Sequence, residues 1–319
     1  MSTYRLVFIL VLQRLVIALF TLLVVSFAVF AATNVLPGDV VEIMLGQAAT
    51  PEAVAGLRRA MGLEDPAIVR YFNWLVGMMQ GDMGISYISR LPISELIGGR
   101  LENSLHLAAV ATVITVPIAL TLGITAAMWR GTLYDRIVSG LTISVISVPE
   151  FMVATLAVLV FAVWLGWLPA LSYTGEIQSL YDVMRAYAMP VLTLGFVISA
   201  QMIRMTRAGV IDTLNTPYVE MALLKGASRT RMVLRHALPN AIGPIANAVA
   251  ISLSYLVGGV IIVETIFNYP GVAQLMVDAV AHRDLPLIQS CAMIFCLAYL
   301  ILITIADLVA ILSNPRLRT

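Results

Sequence analysis

The sequence predicts an all-α integral membrane protein with six transmembrane helices and a helical insert after the first of them. Of the 319 residues, 60% are hydrophobic and only 12% are charged, about half the charge of a soluble chain. So few charges do not keep a folded surface in water, and a disordered chain would lack this apolar area. A formal net charge of +1 argues against a nucleic-acid partner, which requires a strong basic excess.

Six apolar stretches are close to the 20 residues that a helix needs to cross a bilayer. They cover residues 15–32, 105–128, 151–168, 189–203, 242–263 and 288–311. A further apolar run precedes the third stretch, and Pro149 between the two predicts a break or a kink. Arg204 and Arg207 follow the fourth stretch and predict that it ends at residue 203.

The basic residues predict the orientation in the membrane. Twelve of the 19 Lys and Arg residues lie at the two ends of the chain and in the second-to-third and fourth-to-fifth connections, whereas the opposing short loops hold two. Basic loops stay in the cytoplasm, so both termini are expected there. The expected regions are a cytoplasmic N-terminus and membrane anchor (1–32), an extracytoplasmic helical insert (33–103), a five-helix core (104–311) and a cytoplasmic tail (312–319).

The insert has the start signals of three short helices. Thr50 precedes Pro51 as an N-cap, and Pro66 and Pro92 open two further apolar segments. Amphipathic helices of this kind must pack on another surface. The insert is therefore a cover over the membrane core, a docking surface for an external partner, or both.

The connection between the fourth and fifth stretches predicts two short helices joined by a glycine turn. Pro217 suits the first helical position after Thr216, and Gly226 suits the left-handed turn that ends a helix. Ser228 can cap a second helix that runs toward Leu238. Arg229 and Arg231 lie in its first turn, where the helix dipole disfavours cations; they mark topology, meet anionic lipid, or meet an acidic partner.

The only lysine, Lys225, follows a leucine. A phosphate-binding P-loop needs a lysine after a glycine, so this chain has no such ATP site. If the protein uses ATP, another chain must hydrolyse it.

The same connection resembles the EAA loop of ABC importer permeases. That loop has E-A-A, three residues, G, nine residues and I-x-L-P; here Glu220-Met221-Ala222 is followed at those spacings by Gly226 and by His236-Ala237-Leu238-Pro239. Met221 and His236 depart from the pattern. Four further segments, in order, resemble the B-type permease subunit of dipeptide and oligopeptide importers. They are Leu36–Asp39, Gly81–Ser86, Val263–Gly271 and Asn314–Arg318.

This resemblance implies the type I importer permease fold, called MetI-like, in the bacterial inner membrane. It implies that residues 204–240 are the coupling loop, seated in a cleft of a cytoplasmic ATPase subunit. The matching coupling residues are Glu220, Met221, Ala222 and Gly226, with Leu238 and Pro239 redirecting the chain into the fifth span. The implied partners are a second, C-type permease subunit, one or two ATP-binding subunits that use ATP and Mg²⁺, and an extracytoplasmic solute-binding protein.

The resemblance also implies the cargo class. It indicates di- or oligopeptides, and related permeases carry nickel chelates, glutathione, opines or sugars instead. No catalysis, cofactor or metal is expected in this chain itself.

Polar residues inside the apolar stretches are candidates for function. Glu150 either faces a translocation path or caps the backbone donors freed at the Pro149 break. In the fifth stretch, one face carries small and polar residues, namely Asn240, Gly243, Asn247, Ala250, Ser254 and Gly258. This face either packs on another helix or, through Asn247 and Ser254, lines the path. Asp307 is expected to meet an arginine near the membrane surface.

An intramembrane protease is the main alternative from another class. It requires a serine–histidine pair or two facing aspartates within the spans. His106, His236 and His282 all lie at predicted span boundaries, and the sequence has no H-E-x-x-H motif. The sequence therefore favours a permease over an enzyme.

Overall fold

A computed structural model describes residues 3–35, 40–172 and 179–312, and the regular secondary structure of this part of the chain is helical, without a strand. The helices are α1 (Thr3–Val35), α2 (Val40–Leu45), α3 (Pro51–Ala60), α4 (Ala67–Met79), α5 (Ile93–Met128), α6 (Leu133–Ile146), α7 (Glu150–Ala157), α8 (Leu180–Leu214), α9 (Pro217–Leu224), α10 (Arg229–Arg231), α11 (Leu238–Ile266), α12 (Val272–His282) and α13 (Leu285–Leu312). A 3₁₀ turn (Gly46–Ala48) follows α2, and π-helical segments follow α7 (Val158–Trp164) and α10 (Met232–Ala237). The all-α prediction is confirmed.

The described residues contain five helices that are long and apolar enough to cross a membrane, and α6 and α7 together form a broken sixth. The axis bends by 102° between Ile146 and Glu150. Pro149 supplies no backbone donor there and is the N-terminal cap residue of α7. The break at Pro149 is therefore confirmed, and α6 is the apolar run before it. Five of the six predicted spans lie on long helices, and the third lies on the second half of the bent pair.

The helix of the fourth span, α8, continues past both arginines to Leu214, so it extends beyond the apolar stretch that was predicted to end at residue 203. Asp135 of α6 explains the continuation. Its buried carboxylate accepts from Arg207, with Nε 2.6 Å from Oδ1 and a terminal guanidinium nitrogen 2.9 Å from Oδ2. A bidentate pair of this kind compensates the cost of burying both charges.

The prediction of a separate short helix after Pro92 is wrong, because these residues form the first turns of α5. Polar side chains in the middle of α5 bond to the backbone that precedes α12. The Asn103 amide donates to the Pro270 carbonyl at 2.9 Å, and the Ser104 hydroxyl accepts from the Val272 N–H at 2.9 Å. The helix therefore continues through polar residues that otherwise favour an end.

The chain divides into two compact units. The first contains residues 1–16, 106–269 and 299–319, and its core forms mainly between α8 and α11. The second contains residues 17–105 and 270–298, with a core of apolar side chains from α5, α12 and α13. In the second unit α3 begins as predicted, with the Thr50 hydroxyl accepting from the Ala53 N–H at 3.2 Å.

Two of the family-like segments, Leu36–Asp39 and Asn314–Arg318, lie outside the described residues. So does nearly all of the predicted tail, 312–319.

Candidate functional site

The segment 215–240 begins with α9 and a glycine turn. The Thr216 hydroxyl donates to the Thr213 carbonyl at 2.6 Å, and Pro217 is the first residue of α9. Gly226 has a φ of +80°, in the left-handed region. The N–H of Ala227 closes the turn by donating to the Ala222 carbonyl at 3.2 Å. The first predicted helix and its glycine turn are therefore present.

The second helix of this segment differs from the prediction. Its cap is as expected, since the Ser228 hydroxyl accepts from the Arg231 N–H at 3.4 Å. However, the helical run Arg229–Ile266 is unbroken, so Leu238 and Pro239 lie inside it and do not separate two helices. A π-helical turn, Met232–Ala237, directly precedes them.

Val233 attaches this segment to the ends of the long helices. Its side chain is fully buried in a small core with α5, α8 and α11, to which Ala127, Val210 and Ala241 contribute. The Tyr218 hydroxyl also donates to the His236 carbonyl at 3.1 Å, which ties α9 to the second helix. The segment therefore packs directly on the ends of these helices.

The opposite side of the segment is exposed. Met221 is 54% exposed and Leu224 is 75% exposed, and Glu220 and Gly226 also face outward. Ala222 is buried instead, Leu238 is half-buried and Pro239 is exposed. Exposed apolar side chains outside a predicted membrane span are typical of a surface that binds another protein.

Glu150 lies in the wall of a cavity of about 340 Å³ formed by α6, α7, α8 and α11. It is half-buried, and Gly259 of α11 leaves room for it, since a β-carbon there would lie 3.4 Å from Oε2. Gln201, Ser252 and Tyr255 line the same cavity. The Ser252 hydroxyl is buried without a hydrogen-bond partner among the described residues. A carboxylate and an unpaired hydroxyl thus share one cavity.

Asn247 and Ser254 do not line the cavity that contains Glu150. Ser254 is 4% exposed, and its hydroxyl donates to the Ala250 carbonyl of its own helix at 3.0 Å. Asn247 is half-buried. At 100° per residue, Ser252 and Ser254 lie on nearly opposite sides of α11, so the structure separates Glu150 from the other two candidates.

Sequence reasoning missed the residues that accompany Glu150. Ser252, Tyr255 and Gly259 recur at helical spacing and form a second face of α11. That spacing was a usable signal, but polar and apolar residues are mixed on this face. Gln201 carries no comparable pattern.

Near the two ends of the chain, Arg14 of α1 pairs with Asp307 of α13 at 3.0 Å. Asp307 therefore has the arginine partner expected for it. Among the described residues, no group of three His, Cys, Asp or Glu side chains is placed to hold a metal ion.

Comparison with known proteins gives two family matches. Residues 119–319 match the model described as "Binding-protein-dependent transport system inner membrane component", and residues 6–108 match the model of its N-terminal region. Similar proteins include the glutathione transport system permease protein GsiC of Salmonella choleraesuis (strain SC-B67), Salmonella typhi and Escherichia coli (strain K12). Each is 35% identical over 308 residues, which is 97% of this chain and 98% of the relative.

Proposed function

The chain belongs to the family of inner membrane components of binding-protein-dependent transport systems, and on that basis we propose that it imports di- or oligopeptides. It is a multi-pass permease subunit of the ABC importer type. In the proposed reaction, an extracytoplasmic binding protein delivers the solute and separate ATP-binding subunits supply the energy. The chain itself moves solute without catalysing a reaction.

The exposed side of segment 215–240 carries this proposal. Glu220 and Met221 would enter a cleft of an ATPase subunit, and the turn at Gly226 would fix the angle between the two helices. The only lysine of the chain, Lys225, stands outside any P-loop, so ATP and Mg²⁺ would bind to the partner. The buried Val233 supports transmission from that contact to the membrane helices.

The mechanism follows from rigid attachment. Closure of two ATPase subunits on ATP moves the docked segments, and the membrane helices rock between inward-open and outward-open states. Two ATPase subunits need two docking segments, so a second, related permease subunit of the C type completes the assembly. The loop and both termini would lie in the cytoplasm and residues 33–103 outside, as the basic residues indicate.

Glu150 is the best-supported candidate for the translocation path. It combines a carboxylate with a cavity, and an ionisable residue at membrane depth is a functional candidate. The ammonium group of a peptide would be its natural partner. Asn247 remains a candidate where the second permease subunit packs, whereas the burial of Ser254 favours a packing role.

Glutathione is a second candidate cargo. The relatives at 35% identity are named as glutathione permeases, and glutathione is itself a short peptide with a free ammonium group. Contact of segment 215–240 with an ATPase and binding of an ammonium group by Glu150 would be the same for either cargo.

Reconstitution tests the function. The tagged chain is purified in mild detergent, its co-purifying subunits are identified, and the assembly is placed in proteoliposomes with its binding protein. We expect a second permease and an ATPase to co-purify, and ATP-dependent uptake of a labelled dipeptide or of glutathione. We expect Glu150→Gln to lower uptake about tenfold, because a neutral amide binds an ammonium group more weakly.

Asp278→Asn, on the exposed part of α12, is the matched control and should transport normally. Transport by the chain alone would overturn the ABC assignment of energy to partner subunits. Uptake of neither solute would overturn the cargo. Normal uptake by the assembled Glu150→Gln complex would remove the cavity from the path.

A further inference from the structure

A cavity of about 830 Å³ lies within the unit formed by residues 17–105 and 270–298. Its walls come from the end of α1, from α4, from the segment before α5 and from the start of α13. Small-molecule sites have about 300–1,000 Å³. Side chains of both charge signs line it: the cations of Arg70 and Arg90 and the carboxylates of Asp65 and Asp82.

Arg70 is held in a fixed orientation in this cavity. One terminal guanidinium nitrogen donates to the side-chain oxygen of Asn34 at 2.7 Å, and the guanidinium carbon lies 6.0 Å from the ring centre of Phe30. The Asn34 amide in turn donates to the Phe30 carbonyl at 2.7 Å. The Nε of Arg70, in contrast, is buried and has no hydrogen-bond partner among the described residues.

Trp74 provides a second unpaired donor one helical turn further along α4. Its ring centre lies 6.1 Å from those of both Phe30 and Tyr71, so aromatic contacts fix the indole. Its Nε1 is buried, and no described residue accepts a hydrogen bond from it. Residues four apart lie on the same side of a helix, so both donors belong to one wall of the cavity.

We propose that this cavity binds a small peptide through its C-terminal carboxylate, which accepts hydrogen bonds from Nε of Arg70 and Nε1 of Trp74. A carboxylate presents two acceptor oxygens, which matches two N–H donors of which one is charged. Asp65 and Asp82 on the same cavity would favour the ammonium end of the peptide. The ligand class is therefore a zwitterion with separated charges.

Access to the two donors requires side-chain movement, because their nitrogens are shielded from water. Met61 and Met83 also line the cavity, and unbranched methionine side chains repack readily. Burial raises the pKa of Tyr87 in the same cavity, opposed by the charge of Arg70 and reinforced by Asp284. The phenol therefore keeps its proton at neutral pH and adds no negative charge that would repel a carboxylate.

The assignment of a peptide carboxylate as the ligand rests on the proposed peptide transport. The test of binding needs neither transport nor ATP. Calorimetry on the full chain in phosphatidylcholine nanodiscs compares alanyl-alanine with its C-terminal amide. We expect the free acid to bind about tenfold more tightly than the amide. We expect Trp74→Phe, which keeps an aromatic ring and removes the donor, to abolish this difference.

Arg70→Lys keeps the charge and removes Nε, and should weaken the free acid in the same way. Trp129→Phe is the matched control, since Trp129 packs on Tyr134 in the other unit, and it should bind like the wild type. Equal binding of acid and amide, no binding of either, or an unaltered preference in Trp74→Phe would overturn the proposal. Loss of acid binding on adding phosphatidylglycerol would also overturn it, by identifying lipid phosphate as the occupant.

The two proposals fail separately. Uptake by the reconstituted complex with no carboxylate preference in the single chain would leave the permease function and remove the cavity site. Carboxylate binding without uptake would do the reverse.

Discussion

Gly226 shows how one residue sets the local geometry of segment 215–240. Its φ of +80° lies in the left-handed region, and nothing lies within 4 Å of the position that a β-carbon would take. A substitution there is therefore opposed by backbone conformation and not by crowding. Asparagine tolerates this conformation much better than a β-branched residue does.

This difference yields a prediction at the residue scale. Gly226→Val should strain the turn by about 1–2 kcal/mol, reorient α9 and uncouple ATP hydrolysis from uptake without preventing membrane insertion. Gly226→Asn should stay coupled. The measurement is solute transported per ATP hydrolysed in proteoliposomes, with the amount of assembled complex as the check on insertion.

Equal coupling in the two variants would contradict the role of the turn. Loss of coupling in both would show instead that the partner subunit needs the absence of a side chain at position 226.

At the scale of helices, α5 and α8 approach each other closely in the first unit. A β-carbon on Gly123 would lie 2.8 Å from the Thr206 Cβ and 3.0 Å from the Ile203 carbonyl oxygen. On the other helix, a β-carbon on Gly195 would lie 2.7 Å from the Thr115 hydroxyl oxygen. Small residues permit this kind of contact between membrane helices.

We therefore expect Gly123→Ala to destabilise the protein by about 1–3 kcal/mol, the usual range for overpacking. Gly140→Ala in α6 is the matched control, because its β-carbon would meet open space. That variant should keep or raise stability, since alanine favours a helix by about 1 kcal/mol over glycine. Thermal unfolding in detergent measures both, and a stable Gly123→Ala protein would argue against the close approach.

Helix starts were predictable from sequence, whereas two helix ends were not. Thr50, Ser228 and Pro149 act through neighbours in sequence, so local patterns reveal them. The continuation of α8 past Arg207 was not predicted, because its partner, Asp135, lies 72 residues earlier. The continuation past Pro239 was not predicted because a π-helical turn has no signature in composition.

The candidate site was predictable to a similar extent. Glu150 stands out because a carboxylate in an apolar run is rare. The helix–turn–helix of segment 215–240 is predictable from the positions of Pro217, Gly226 and Ser228. Ser252 and Gln201 look ordinary until the fold brings α8 and α11 to the same cavity. Arg70 and Trp74 could not be predicted as a binding pair, because α1 and α13 complete the cavity that they line.

At the scale of the whole molecule, one ion pair and the basic residues both bear on the orientation in the membrane. The pairing of Arg14 with Asp307 joins positions near both ends of the chain, which supports termini on the same side. The distribution of basic residues indicates that this side is the cytoplasm.

Accessibility to a membrane-impermeant thiol reagent checks the orientation. With Cys291 and Cys296 replaced by serine, Glu64→Cys should react in intact cells and Lys225→Cys only after permeabilisation. Both positions are exposed, so burial does not confound the comparison. The opposite pattern would invert the topology and contradict the proposed site of ATPase docking.

The unbroken run Arg229–Ile266 joins the second helix of segment 215–240 directly to the fifth membrane helix. Its 38 residues extend about 57 Å at about 1.5 Å per residue. A tilt of about 5° in a rod of that length displaces its far end by about 5 Å, roughly the height of one helical turn. Because the run is continuous past Pro239, a rotation imposed at Arg229 is carried into the membrane helix, less any bending at the π-helical turn Met232–Ala237 and at Pro244.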